Sequence, residues 1–139
     1  MEPAEVLREG TVPQATRTYR TQDLFLFSAA TWNPHRVHYD QRYTRDVEGH
    51  DELLVQGPLQ AVHLFQVLGD ALVDGARLTS VSYRHLAALH VDEQVVIGGR
   101  LQAVDDATAT VEMWMERAES GERTTTGTAV VSLPMSGTR

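Results

Sequence analysis

The stretch Gly57-Pro58-Leu59-Gln60-Ala61-Val62-His63-Leu64-Phe65-Gln66-Val67-Leu68-Gly69-Asp70-Ala71-Leu72-Val73, with the change of pattern that follows it, decides the fold. Proline is well tolerated at the first helical position, so Gly57-Pro58 marks a helix start. The helix then runs Leu59–Val73 and is apolar nearly all round. Such a helix must be buried on most of its faces. Asp74-Gly75 marks a turn, and beyond it the period shortens to that of strands. Leu78–Leu86 alternates in part. Glu93–Val104 contains Val95-Val96-Ile97 and a Gly98-Gly99 pair suited to a bulge or bend. Thr108–Arg117 sets Val111, Met113 and Met115 against Glu112, Trp114 and Glu116, and Arg123–Leu133 is rich in Thr and Val. Asp105-Asp106-Ala107 and Glu119-Ser120-Gly121-Glu122 supply the turns of an antiparallel meander.

Working back from the helix, Asn33–Asp51 reads as a polar loop with one helical turn at Gln41–Arg45. Thr21 is placed as an N-cap and Asp23 in a first turn, opening a helix whose apolar face is Leu24, Phe25, Phe27 and Ala30. That helix ends near Trp32-Asn33-Pro34, because a residue before proline is pushed out of the helical region. Thr16–Tyr19 is a short first strand, and residues 1–15 are a loose lead-in. The expected architecture is a single α+β domain over residues 1–139, a sheet curled around a central helix in the hotdog arrangement. A unit of this size leaves sheet edge and apolar surface open, so at least a dimer is expected.

Composition removes several chemistries. There is no cysteine, which excludes disulfides, thiolate catalysis and cysteine-held metals. All 12 bases are arginine, so no Schiff base forms on a lysine. A net charge of −7 without a basic run argues against nucleic-acid binding. The short apolar runs argue against a membrane span. Met1-Glu2-Pro3-Ala4-Glu5 has no secretory pattern, and the expected location is cytoplasmic. No His-Glu-x-x-His or other zinc spacing occurs, so no metal site is expected.

Two segments can carry chemistry. Thr31-Trp32-Asn33-Pro34-His35-Arg36-Val37-His38-Tyr39-Asp40 places two histidines, an asparagine and an aspartate on one loop. Histidine exchanges protons near neutral pH, and acid–base catalysis needs such a group beside an orienting partner. The bland alternative is a solvated polar loop. The second segment is Val55-Gln56-Gly57-Pro58. A helix start presents unpaired N–H groups with partial positive charge, which can stabilise an oxyanion, and glycine lets a carbonyl approach. The bland alternative is a glycine that only makes the turn. His63 reads as a hydrogen-bonded helix histidine, and His85 and His90 as surface residues flanking a turn. Asp70 is the only acid late in the helix.

Phe27–Asp40 followed by Leu54-Val55-Gln56-Gly57-Pro58-Leu59-Gln60-Ala61 resembles the MaoC-like hotdog dehydratases and hydratases. It is most similar to the branch with mesaconyl-CoA and methylfumaryl-CoA hydratases and type 2 hydroxyacyl-thioester dehydratases. The resemblance implies addition or elimination of water across the α,β bond of an acyl thioester of coenzyme A or a carrier protein, without redox cofactor or metal. In the better-known branch the motif is Asp-x-Asn-Pro-x-His-x-Asp. Aligned on its ending, His38 takes the place of the catalytic histidine and Asp40 that of the trailing aspartate. Asn33-Pro34 matches the Asn-Pro pair. His38 is then the general base, Asn33 orients it or the departing water, and Gly57 holds the thioester oxygen. Gln56 and Thr31 complete the expected substrate contacts. Thr31 stands where the catalytic aspartate would be, and Gln56 where a histidine often precedes the glycine. His35 and Asp40 are the candidates to replace the missing acid. Arg36, Arg42, Arg45 and Arg84 are either phosphate contacts or solvated surface. A thioesterase on the same scaffold, or a non-catalytic subunit paired with another hotdog chain, are the alternatives; the expected assembly is a homodimer or such a heteromer.

Overall fold

The computed structural model describes Leu7 and residues 10–134. Its elements are β1 (Thr11–Thr18), α1 (Thr21–Thr31), a 3-10 turn (Arg36–His38), α2 (Gln41–Asp46), α3 (Gly57–Ala71), β2 (Arg77–His85), β3 (Gln94–Val104), β4 (Thr108–Arg117) and β5 (Arg123–Ser132). The strands form one five-stranded antiparallel sheet in the order β1-β3-β4-β5-β2. The strand half is therefore a meander only from β3 to β5. β2 crosses to the far edge and pairs with β5, not with β3 as its place in the chain suggested.

Alternation puts Val95 and Ile97 of β3, Val111, Met113 and Met115 of β4, and Ala129 and Val131 of β5 on the inner face. Leu64 and Leu68 of α3 are fully buried in the same core. This is the hotdog fold, a sheet wrapped on a central helix. Gly98 and Gly99 do not form the expected bulge. They stay in register opposite Trp114 and Met113, and the irregularity falls between Leu101 and Ala103. A Cβ on Gly99 would lie 2.3 Å from Met113 Sδ and 2.7 Å from the Glu112 carbonyl oxygen, so the glycine makes room.

Three further expectations are corrected. Residues 11–15 belong to β1 and pair with β3, because the edge of the sheet needs a partner strand; the lead-in expected over 1–6, 8 and 9 lies outside the described residues. In α1 only Leu24 and Ser28 are buried, while Phe25 and Leu26 stay 60% and 54% exposed. α3 buries Leu59, Gln60, Ala61, Leu64 and Leu68 along one face and leaves Val62 open, so one chain covers only part of an almost uniformly apolar helix. The whole of β2 is exposed along its length.

The segment before α3 is anchored by the β2–β3 connection. Val55 N–H donates to the Leu89 carbonyl at 2.8 Å, Val91 N–H to Leu53 at 2.9 Å, and Leu54 bridges His90. Leu54 N–H also donates to the Val37 carbonyl at 3.0 Å. The histidine loop and the start of α3 are thereby held side by side.

Candidate active site

α1 ends because Pro34 forces the chain out of the helix. Trp32 takes left-handed geometry (φ 58°) and Asn33 N–H closes onto the Ser28 carbonyl at 2.9 Å. The Asn33 side-chain oxygen then accepts from His35 N–H at 3.2 Å. His35 Nδ1 accepts from Val37 N–H at 3.3 Å and caps the 3-10 turn. That turn delivers His38, which is half-buried.

His38 Nδ1 lies 2.7 Å from the Leu54 carbonyl oxygen. A carbonyl only accepts, so Nδ1 carries the proton and neutral His38 keeps Nε2 bare as a base. Burial lowers the pKa of His38; the Leu54 bond opposes this and the neighbouring His35, with ring centroids 5.9 Å away, adds to it. Of the two roles expected for Asn33, orienting His38 thus belongs to Leu54.

Three other residues expected at the site, Thr31, Asp40 and Gln56, are committed elsewhere. Thr31 is exposed and its hydroxyl donates to the Phe27 carbonyl at 2.7 Å, one turn back in α1. Asp40 caps α2 by accepting from Tyr43 N–H at 3.0 Å and pairs with Arg36 at 2.9 Å. Those contacts, the Tyr43 bond first and Arg36 second, lower its pKa. Gln56 is fully buried; its amide N–H2 donates to the Leu24 carbonyl at 2.7 Å and Ser28 Oγ at 2.9 Å. It ties α3 to α1, so its side chain is not the substrate contact expected of it. Its Oε1 has no partner among the described residues.

Gly57 opens α3 with Pro58 directly after it. The first N–H groups of a helix have no intrahelical acceptor. No turn, loop or cap bond engages Gly57 N–H among the described residues. Beside it lies a cavity of about 350 Å³ lined by Leu54, Val55, Gly57, Gln60, His85 and Leu89, among others. A second, mainly apolar cavity of about 420 Å³, lined by Phe25, Ser28, Trp32, Asn33 and Tyr39, lies at the end of α1. Only the first meets the helix start.

The residue that sequence reading missed is His85. A Cβ on Gly57 would fall 2.5 Å from His85 Nε2, so the imidazole rests on the glycine. Its Nδ1 is 3.0 Å from Thr125 Oγ1, which is 3.1 Å from Gln60 Oε1; Gln60 Nε2 donates to the Val55 carbonyl at 3.2 Å. Thr125 and Gln60 are buried, and His85 stays exposed along one side. The available signal was strand register: His85 stands directly opposite Thr125. Among the described residues no group of three or more metal-ligating side chains occurs.

The fold is a hotdog sheet, and it sets a half-buried histidine of fixed tautomer, His38, against the segment that opens α3 at Gly57. The sequence profile of the family described as hydroxyacyl-thioester dehydratase type 2 matches residues 3–91, and the chain belongs to that family. Mesaconyl-C(4)-CoA hydratase of Chloroflexus aurantiacus is 52% identical over 44 residues, 32% of this chain and 16% of that protein. The mitochondrial hydroxyacyl-thioester dehydratase type 2 of Saccharomyces cerevisiae is 41% identical over 49 residues, 35% of this chain and 17% of that protein. The matched stretches therefore span about a sixth of those relatives. Among solved structures, the ChsH1-ChsH2 complex of Mycobacterium tuberculosis superposes with a TM-score of 0.79 at 19% identity, covering 88% of this chain and 94% of that one.

Proposed function

We propose that the chain is an acyl-thioester hydratase or dehydratase, a hydro-lyase acting on coenzyme A or carrier-protein thioesters. The observation that carries this is the 2.7 Å bond from His38 to Leu54, which fixes the ring tautomer with Nε2 bare and holds the ring against the segment that opens α3 at Gly57. In the dehydration direction His38 Nε2 removes the α-proton. The negative charge moves to the thioester oxygen, where Gly57 N–H donates to it. A fixed donor of this kind is worth most where it needs no reorganisation. Collapse of the enolate forms the α,β double bond and breaks the bond from Cβ to the hydroxyl, which takes up a proton and leaves as water; His38 returns its proton to solvent. Neither metal nor redox cofactor is part of this reading. No carboxylate occupies Gly57–Ala61, so a thioesterase finds no base there.

Arg42 and Arg84 make no ion pair among the described residues, whereas Arg36 and Arg45 pair with Asp40 and Glu52. The first two are the better candidates for a phosphate of the carrier. The exposed β2 edge and Val62 support assembly with a second copy or another hotdog chain, and a structural relative is itself a two-chain complex. Among the described residues no helix is long and apolar enough to cross a membrane. A cytoplasmic location belongs to the same proposal.

The test is a panel of enoyl and 3-hydroxyacyl thioesters, followed by ultraviolet loss or gain of the enoyl group and by release of free thiol. Enoyl change without thiol supports the reading. Thiol release points to a thioesterase, and neither signal from the purified chain points to a partner subunit.

A further inference from the structure

We infer that His85 is a second catalytic histidine, the proton acceptor for the water that adds above Gly57; this rests on the hydratase reading. The carbonyl of Val55 fixes the Gln60 amide, because only the amide nitrogen can donate to it, at 3.2 Å. Gln60 Oε1 therefore faces Thr125 and must accept, so the Thr125 hydroxyl hydrogen points at Gln60 over 3.1 Å. The hydroxyl is left with lone pairs toward His85, and at 3.0 Å His85 Nδ1 must be the donor. Neutral His85 is thereby held as the Nδ1–H tautomer with Nε2 bare. That nitrogen leans on Gly57, beside the donor proposed for the thioester oxygen. Nothing in a purely structural role requires a buried threonine and a buried glutamine to set the tautomer of an exposed histidine.

The site needs such a group. Thr31 and Asp40, the places where a carboxylate was expected, are tied to Phe27 and to α2. Among the described residues, the only titratable ring packed against His85 is Tyr83, edge-on with centroids 5.4 Å apart, and Gly57, Gln60 and Thr125 are neutral. Burial therefore favours the neutral, basic form.

In the hydration direction the water O–H proton passes to His85 Nε2 as its oxygen forms the bond to Cβ. The π pair moves to Cα and onto the thioester oxygen at Gly57. Imidazolium His38 then delivers a proton to Cα. One water has been added; His85 has gained a proton and His38 has lost one, and exchange with solvent restores both. Turnover thus requires one histidine neutral and the other protonated, which gives kcat/KM a two-limbed pH profile.

The experiment compares wild type, His85→Gln and Thr125→Val, with thermal melting as the folding control. The readouts are kcat and KM across pH for a thioester that wild type turns over, and long-range ¹⁵N correlation spectra of the imidazoles. His85→Gln is expected to lower kcat by about 10²–10⁴-fold with little change in KM, and to remove one limb. In wild type the spectra should show Nδ1–H at His85, and Thr125→Val should mix the tautomers. A His85→Gln enzyme with wild-type kcat and both limbs, or an Nε2–H tautomer at His85 in wild type, overturns the assignment while leaving the hydratase reading intact. A wild-type protein that turns over no thioester overturns both.

Discussion

α3 carries two histidine contacts of similar make-up and opposite consequence. On one side His85 is tied at Nδ1 to a hydroxyl, that of Thr125, at 3.0 Å. On another side His63 is tied at Nδ1 to a hydroxyl, that of Tyr19, at 2.9 Å. Burial lowers the pKa of both imidazoles. Yet Tyr19 is 1% exposed and its ring stacks on His63 with centroids 5.5 Å apart and an interplanar angle of 27°, so this contact fastens α3 to the end of β1. His85 leans instead on a glycine at an open helix start, with a cavity beside it. A depressed pKa and a hydrogen bond do not distinguish the two. What each ring lies against does: Tyr19 for His63, and Gly57 at the helix start for His85.

The largest effect that tests this contrast is loss of the proposed base. His38→Ala should lower kcat by about 10²–10⁴-fold, read from enoyl absorbance, while the melting temperature stays near that of wild type. A variant that melts far lower would make His38 a strut like His63. Next comes Gly57→Ala. Its methyl group would fall 2.5 Å from His85 Nε2, so the imidazole must move aside. A misplacement of about 1 Å costs on the order of 10²-fold in turnover. Alanine is the better helix former, so stability should hold or rise slightly. Normal turnover in Gly57→Ala would show that the ring can leave without consequence.

Much of the molecule is legible in its residue pattern alone. β4 spans Thr108–Arg117 as its alternation required, and the helical turn at Gln41 falls where the polar loop was expected to contain one. Those are local signals: period, caps and turn residues act within a few positions. The crossing of β2 to β5 is not legible, because antiparallel pairing order depends on contacts far apart in the chain, such as His85 with Thr125. The candidate site inherits the same division. His38 and Gly57 announce themselves through motif and helix start. His85, Thr125 and Gln60 come from three elements and are joined only by register. Gln56 was misjudged for a related reason: its position beside Gly57 suggested substrate contact, but its side chain turns inward to α1.

Pure packing gives a scale for the structural side of the contrast. Gly99→Ala puts a methyl group 2.7 Å from the Glu112 carbonyl oxygen and 2.3 Å from Met113 Sδ. The thioether can turn away, but the backbone cannot. The expected loss is about 1–3 kcal/mol in chemical denaturation. Turnover per folded molecule should not change, since Gly99 lies in β3 and does not line the cavity beside Gly57.

The smallest expected effect concerns the Tyr19–His63 contact, and there pH separates strut from catalyst. Tyr19→Phe removes one hydrogen bond and should cost about 0.5–1.5 kcal/mol. The pKa of His63 is lowered first by burial and then by Arg17, with Asp23 opposing. Its folded value therefore lies below the ordinary 6.5 of the unfolded chain. The unfolded state then binds more protons in that window, so stability rises with pH there. The contribution is fully present above about pH 6.5 and is lost as pH falls through the folded value. His38 and His85 have pKa values lowered in the same direction and add similar slopes, so the measurement must be a difference. His63→Phe keeps a ring against Tyr19 and removes the titration. Denaturation of wild type and His63→Phe at a series of pH values below 7 should show wild type losing more stability on acidification. Above pH 7 both Tyr19→Phe and His63→Phe should keep the wild-type kcat. A His63→Phe protein that stays folded but loses turnover would move His63 into the chemistry and erase the distinction between the two sides of α3.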